Sequence, residues 1–231
     1  MAQKVTQTNT GKDSGLVPCK HNHVFEVFLF VNPLGDACLT CEEEVLKFVN
    51  QTENKVYFRI ITTSDMQTFN NYVKALDRPL TLAERNELYL AHQEVCKAYK
   101  AALLQGKKVG RGFLMNIQEY FGRQGNPYSH EKMLEIAEAS RLDMEMWQQD
   151  IDSDLTKKSL VADAKLARQM QISVNPTVVI FDNINYKYGL KVESNITQEN
   201  LESLTNQMMM KSEEAMALEA KNSPRLTCIK K

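Results

Sequence analysis

A nearly continuous apolar run, Val24–Val31 (VFEVFLFV), breaks at Asn32-Pro33-Leu34-Gly35 and is followed at once by Cys38-Leu39-Thr40-Cys41. This junction constrains the fold more than any other stretch. A run so rich in Val and Phe predicts a strand buried on both faces, in the middle of a sheet. Pro33 and Gly35 cannot extend it. Beyond Cys41, the apolar residues Val45, Leu46, Phe48 and Val49 recur at helical spacing behind Glu42, Glu43 and Glu44. Lys55–Ile61 (KVYFRII) alternates and then turns apolar, which predicts a second strand. A right-handed crossover through the intervening helix makes the two strands parallel.

After Thr63 the pattern is helical over residues 64–151, too long for a simple connection. Thr81-Leu82-Ala83-Glu84 reads as a capping box. The helix it opens has Leu88, His92, Val95, Cys96, Tyr99 and Leu103 on its apolar face, and Gly106 with Lys107-Lys108 is expected to close it. His92 and Cys96, one turn apart, are expected in the core rather than on a metal. A shorter helix carries Phe113, Leu114, Ile117, Tyr120 and Phe121 and should end before Gly122-Arg123-Gln124-Gly125. Two further helical patterns cover Ser129–Ala137 and Leu142–Ile151, the second around Trp147.

An amphipathic stretch, Leu155–Met170, leads to Asn175-Pro176 and the β-forming run Thr177–Phe181. Asp182-Asn183 is a turn signal, so Tyr186–Val192 should return as the second arm of an antiparallel hairpin. Thr197 starts a last helix through Leu201, Leu204 and Met208, with charged residues expected beyond Met210 and a loop-like stretch around Asn222-Ser223-Pro224. The expected organisation is a mobile segment over 1–22, an α/β domain from 23–63 and 152–215, a helical insertion at 64–151 and a tail at 216–231.

Charge and hydropathy narrow the function classes. With 28 basic and 29 acidic residues the formal net charge is −1, which gives no reason to expect nucleic acid or an anionic membrane as partner. The apolar runs are too short to span a bilayer, and the polar N-terminus has no apolar core of a secretion signal. A cytoplasmic location is therefore expected, where a CxxC pair is more often catalytic, redox-sensing or metal-binding than structural. Cys19, His21 and His23 form a weak metal-ligand pattern with no clear fourth ligand. No metal or cofactor is expected.

Cys38 is expected just before the helix and Cys41 one turn inside it, which brings both sulfurs to one side, within disulfide reach. The free N–H groups of the first turn favour a thiolate on Cys38, making it the nucleophile. Cys41, expected to be more buried, would resolve the mixed disulfide. A cis peptide at Asn175-Pro176 is expected to present the preceding backbone to a substrate segment. Glu42–Glu44 act against a reactive Cys38, because nearby negative charge raises a thiol pKa.

The order strand, CxxC, helix, strand, helical insertion, helix, Pro-strand, strand, helix resembles the thioredoxin fold of the DsbA family. VNPLGDACLTC and SVNPTVVIFD resemble the cytosolic SpxH/YjbH branch most, with element order matching from Val24 to Met210. The resemblance implies an α/β thioredoxin-like fold of the DsbA type with a helical insertion. It also implies a thiol–disulfide oxidoreductase or isomerase acting on protein cysteines through Cys38, Cys41 and Pro176, with Asn175, Leu39 and Thr40 meeting the substrate. The alternative it implies is an adaptor presenting the stress regulator Spx to the ClpXP protease, the CxxC serving as a redox switch or a relic. Leu39-Thr40 lacks the Pro or His of strongly oxidising and isomerase members.

Overall fold

The computed structural model describes residues 22–76, 78–186 and 188–222. Its strands are β1 (Val24–Val31), β2 (Lys55–Thr62), β3 (Thr177–Asp182) and β4 (Gly189–Val192), in spatial order β2-β1-β3-β4. The VFEVFLFV run is thus an interior strand, as its composition requires. β2 lies parallel to it, with Val24 opposite Lys55 and Val31 opposite Thr62, and α1 (Asp36–Gln51) makes the crossover. β3 is antiparallel to β1, with Phe30 opposite Thr177, and β4 is antiparallel to β3.

The two-residue period of β1 divides its side chains between two cores. Phe25, Val27, Leu29 and Val31 pack in the larger one with Val45 and Phe48 of α1. Phe28 and Phe30 join Ile61, Ala167, Ile172 and Val179 on the other face. Each fully buried side chain of this size contributes about 1.5–3 kcal/mol relative to exposure, so a register slip of one residue would exchange both sets.

Between β2 and β3 lie α2 (Met66–Lys74), α3 (Leu82–Leu104), α4 (Lys107–Ile117), a π turn (Gln118–Arg123), α5 (His130–Ala139), α6 (Met144–Ile151) and α7 (Asp154–Gln169). The capping box on α3 is formed: Thr81 Oγ1 accepts from the Glu84 N–H at 3.2 Å, and the Glu84 carboxylate accepts from the Thr81 N–H at 2.8 Å. Trp147 is fully buried and donates its indole N–H to Ala98 O at 2.9 Å, tying α6 to α3. His92 and Cys96 lie in the core, 1% and 0% exposed.

Three expectations are corrected. Lys107 and Lys108 open α4 instead of closing α3, because Gly106, at φ +126°, turns the chain between two nearly contiguous helices. Gly122 and Arg123 belong to the π turn continuing α4, not to the following loop. β4 is shorter than Tyr186–Val192: the Asp182 carboxylate accepts from the Ile184 N–H at 3.2 Å, prolonging the turn, and Tyr186 and Tyr188 remain exposed. The last helix, α8 (Gln198–Asn222), takes in the charged residues beyond Met210 and runs to Asn222, the last described residue. Cys19, His21 and Cys228 lie outside the described residues.

Candidate functional site

The site begins where β1 ends. The Asn32 side chain accepts from the Leu34 N–H at 2.8 Å and the Asn32 carbonyl from the Gly35 N–H at 3.3 Å, so Asn32-Pro33-Leu34-Gly35 closes on itself. Helix α1 starts at Asp36, with Gly35 as a cap that offers no side-chain bond. Cys38 is therefore the third residue inside the helix instead of preceding it. Its sulfur accepts from the Asn32 N–H at 3.2 Å.

Both sulfurs are enclosed. Cys38 is 2% exposed and Cys41 4%, so Cys41 is not the more buried of the two. Burial pushes the Cys38 thiol far above the ordinary thiol range; the Asn32 N–H opposes this, while Glu42, Cys41 and Asp36 reinforce it. Cys41 is pushed up to about 12 by burial, then by the charges of Glu42 and Glu44. The first-turn N–H groups of α1 do not outweigh desolvation here, and both groups are thiols at neutral pH. Cys38, Cys41 and Cys96 are free cysteines.

Beneath the pair sits Glu42, fully buried. Its Oε1 accepts from Gln118 Nε2 at 2.8 Å, and the same amide donates to Asn32 O at 3.1 Å. Burial pushes Glu42 up to about 8, against the Gln118 bond and the Arg111 charge and with the help of Glu43. Of the three glutamates, only Glu43 and Glu44 are surface carboxylates, paired with Arg123 and Lys47. The acidic triplet thus divides into one neutral, buried acid and two solvated charges.

The π turn roofs the site. A Cβ on Gly122 would lie 2.9 Å from Leu34 O and 3.1 Å from Asp36 N, so backbone rests on backbone and only glycine fits. The Arg123 guanidinium then reaches Asp36 at 3.1 Å, Glu43 at 3.0 Å, Glu119 at 3.1 Å and Thr40 Oγ1 at 3.2 Å. Thr40 is on the surface under this arginine, whereas Leu39 is 2% exposed and faces the core.

Asn175-Pro176 is cis and leads into β3. Because Thr177 pairs with Phe30, Pro176 reaches the sheet at the end where β1 departs towards Cys38. The Asn175 side-chain amide donates to Thr63 Oγ1 at 2.5 Å, and the Thr63 N–H donates to Val31 O at 3.0 Å. Asn175 is thereby tied to the ends of β1 and β2. Among the described residues no cluster of three or more His, Cys, Asp or Glu could hold a metal. His23 instead sits 2.9 Å from Asp182, which also accepts from the Ser212 hydroxyl at 3.0 Å.

Gln118, Gly122 and Arg123 carry no sequence signal of their proximity to Cys38. Glu42 did carry one: it precedes Val45 by three residues and Phe48 by six, on the apolar stripe of α1.

Residues 28–203 match the thioredoxin family model. The chain is 30% identical over 201 residues to the ClpXP adapter protein SpxH of Bacillus subtilis, covering 80% of this chain and 67% of that protein. Against the ClpXP adapter protein SpxH of Bacillus licheniformis the identity is 30% over 203 residues, with the same coverage of 80% and 67%. Among solved structures, a putative protein disulfide isomerase from Nitrosomonas europaea superposes with a TM-score of 0.59 at 12% identity, over 81% of this chain and 98% of that one. The oxidoreductase NmDsbA1 from N. meningitidis gives 0.55 at 12% identity, over 94% and 92%. No helix among the described residues is long and apolar enough to cross a membrane. With the central strand, the CxxC helix and the inserted helices all in place, the chain belongs to the thioredoxin family, in its DsbA-like form and related to the SpxH proteins.

Proposed function

We propose that this protein is an adaptor of the SpxH kind, binding a client such as the regulator Spx and presenting it to ClpXP in the bacterial cytoplasm. The observation that carries the reading is the closure of the CxxC pair. Cys38 and Cys41 are 2% and 4% exposed and held as thiols beside the buried Glu42, with Arg123 bonded to Thr40 between them in sequence. A thiol–disulfide enzyme that turns over needs an accessible thiolate, which this arrangement withholds. The names of the relatives at 30% identity point the same way.

A second reading is favoured by a different observation, the CxxC at the start of α1 together with the cis Asn175-Pro176 at the same sheet end. There the Cys38 thiolate attacks a client disulfide and releases one client thiol. Cys41 then attacks Cys38, releasing the second client thiol and leaving a Cys38–Cys41 disulfide.

The readings separate in a reconstituted degradation assay with ClpXP and Spx. A Cys38→Ser, Cys41→Ser double variant should support Spx degradation within about twofold of wild type. If that variant folds yet supports none, the adaptor reading fails in its thiol-independent form. A Cys41→Ala variant that accumulates mixed disulfides with cytosolic proteins would favour the enzyme.

A further inference from the structure

A cavity of about 200 Å³ opens between β2, α3, α4 and α7. Four cations line it, Arg59, Lys100, Lys107 and Arg111, beside Tyr99 and Ser159, and no carboxylate does. One acid behind the wall, Asp163, serves two of them: it pairs with the buried Lys100 and lies 3.6 Å from Arg59. Among the described residues, neither Lys107 nor Arg111 has a carboxylate within ion-pair distance.

Such an excess is local, since the whole chain carries 28 basic against 29 acidic residues. Gathering like charges around one concavity is unfavourable unless an anion offsets them. Lys107 is also the first residue of α4, whose cap Gly106 offers no side-chain acceptor. The positive end of that helix therefore lies at the same rim. The space is smaller than the roughly 300–1,000 Å³ of sites for drug-sized ligands. It suits one compact, multiply charged group. A guanidinium fork matches two oxygens of such a group, with ammonium and hydroxyl donors completing the shell.

We propose that this cavity binds a small phosphoryl oxyanion, as free phosphate or as the terminal phosphate of a small molecule, held by Arg111, Lys107 and the buried Lys100. Arg59 and Ser159 supply the remaining donors. The site is separate from the CxxC pair and needs no redox change.

The full-length protein, titrated calorimetrically with inorganic phosphate and with pyrophosphate in a chloride buffer of constant ionic strength, provides the test. Saturable binding is expected, accompanied by broadening of the ligand's phosphorus resonance. Tighter binding of pyrophosphate identifies a terminal phosphate as the natural group; equal or weaker binding identifies the free ion. Arg111→Gln and Lys107→Gln should each weaken binding at least tenfold. Lys108→Gln removes the same charge from the same helix outside the cavity, and should bind as wild type does. Absence of saturable binding overturns the proposal, and so does a Lys108→Gln loss equal to that of Arg111→Gln, since the effect would then be general electrostatics.

Discussion

Replacing Glu42 by glutamine should make the protein more stable in mildly alkaline solution, although it removes an acid from the centre of the candidate site. Burial raises the Glu42 carboxyl from 4.5 to about 8. Between those values the native state holds a proton that the unfolded chain releases, so stability falls as pH rises through the window. At about 1.4 kcal/mol per pH unit, the loss from pH 5 to pH 8 amounts to about 3–4 kcal/mol, a substantial share of the stability of a domain. In the Glu42→Gln variant the new amide oxygen could still accept from Gln118 Nε2, and the side chain has no proton to lose. Variant and wild type should therefore match within about 1 kcal/mol at pH 5 and diverge steadily towards pH 8. The comparison must be a difference, because His92 acts oppositely. Burial lowers it from 6.5 to about 4, so its contribution rises with pH across that lower range. Subtracting the two urea-unfolding curves at each pH cancels His92 and leaves Glu42. Parallel curves, with a gap at pH 8 no larger than at pH 5, would refute the buried-acid account and show that Glu42 reaches solvent.

Three further outcomes follow from the packing of the inserted helices. Gly122→Ala places a methyl 2.9 Å from Leu34 O, so the π turn must lift; stability should fall by about 1–3 kcal/mol in urea titrations. Maleimide labelling of Cys38 at pH 7.5, followed by mass spectrometry, should accelerate at least tenfold in the same variant, and an unchanged rate would mean that the roof does not control access. Trp147→Phe strips Ala98 O of its indole donor inside the core. A loss of about 1–3 kcal/mol is expected, read from the same titrations.

Much of the scaffold was legible because its signals are local. The unbroken apolar run of β1, the Thr81–Glu84 box and the Pro176 break before β3 each declare themselves within a few residues. The placement of Val31, Cys38 and Pro176 at one sheet end then follows from strand order. The state of the cysteines was not legible in the same way. Proximity to a helix start argues for a reactive Cys38, and only the tertiary structure shows both cysteines enclosed, beside a buried Glu42 bonded to Gln118 more than seventy residues downstream. Glu42 is the intermediate case. Its place on the apolar stripe of α1 was readable, yet three glutamates in a row look like a solvated first turn. The Gly106 junction runs against its sequence signal because Lys pairs ordinarily finish helices, and here they begin one.

The contact of Gly122 with Leu34 and Asp36 also bears on modularity. Residues 64–151 look in sequence like a cassette spliced between two halves of a simpler domain. In space, the cassette supplies the amide on which Glu42 depends, the arginine that binds Asp36, Glu43 and Thr40, and the glycine that seats the turn before Cys38. A chimera exchanging this segment with that of a relative would carry the properties of the cysteine pair with the graft. Donor segments would have to be chosen for their fit to the Asn32–Asp36 turn before their own stability as helices.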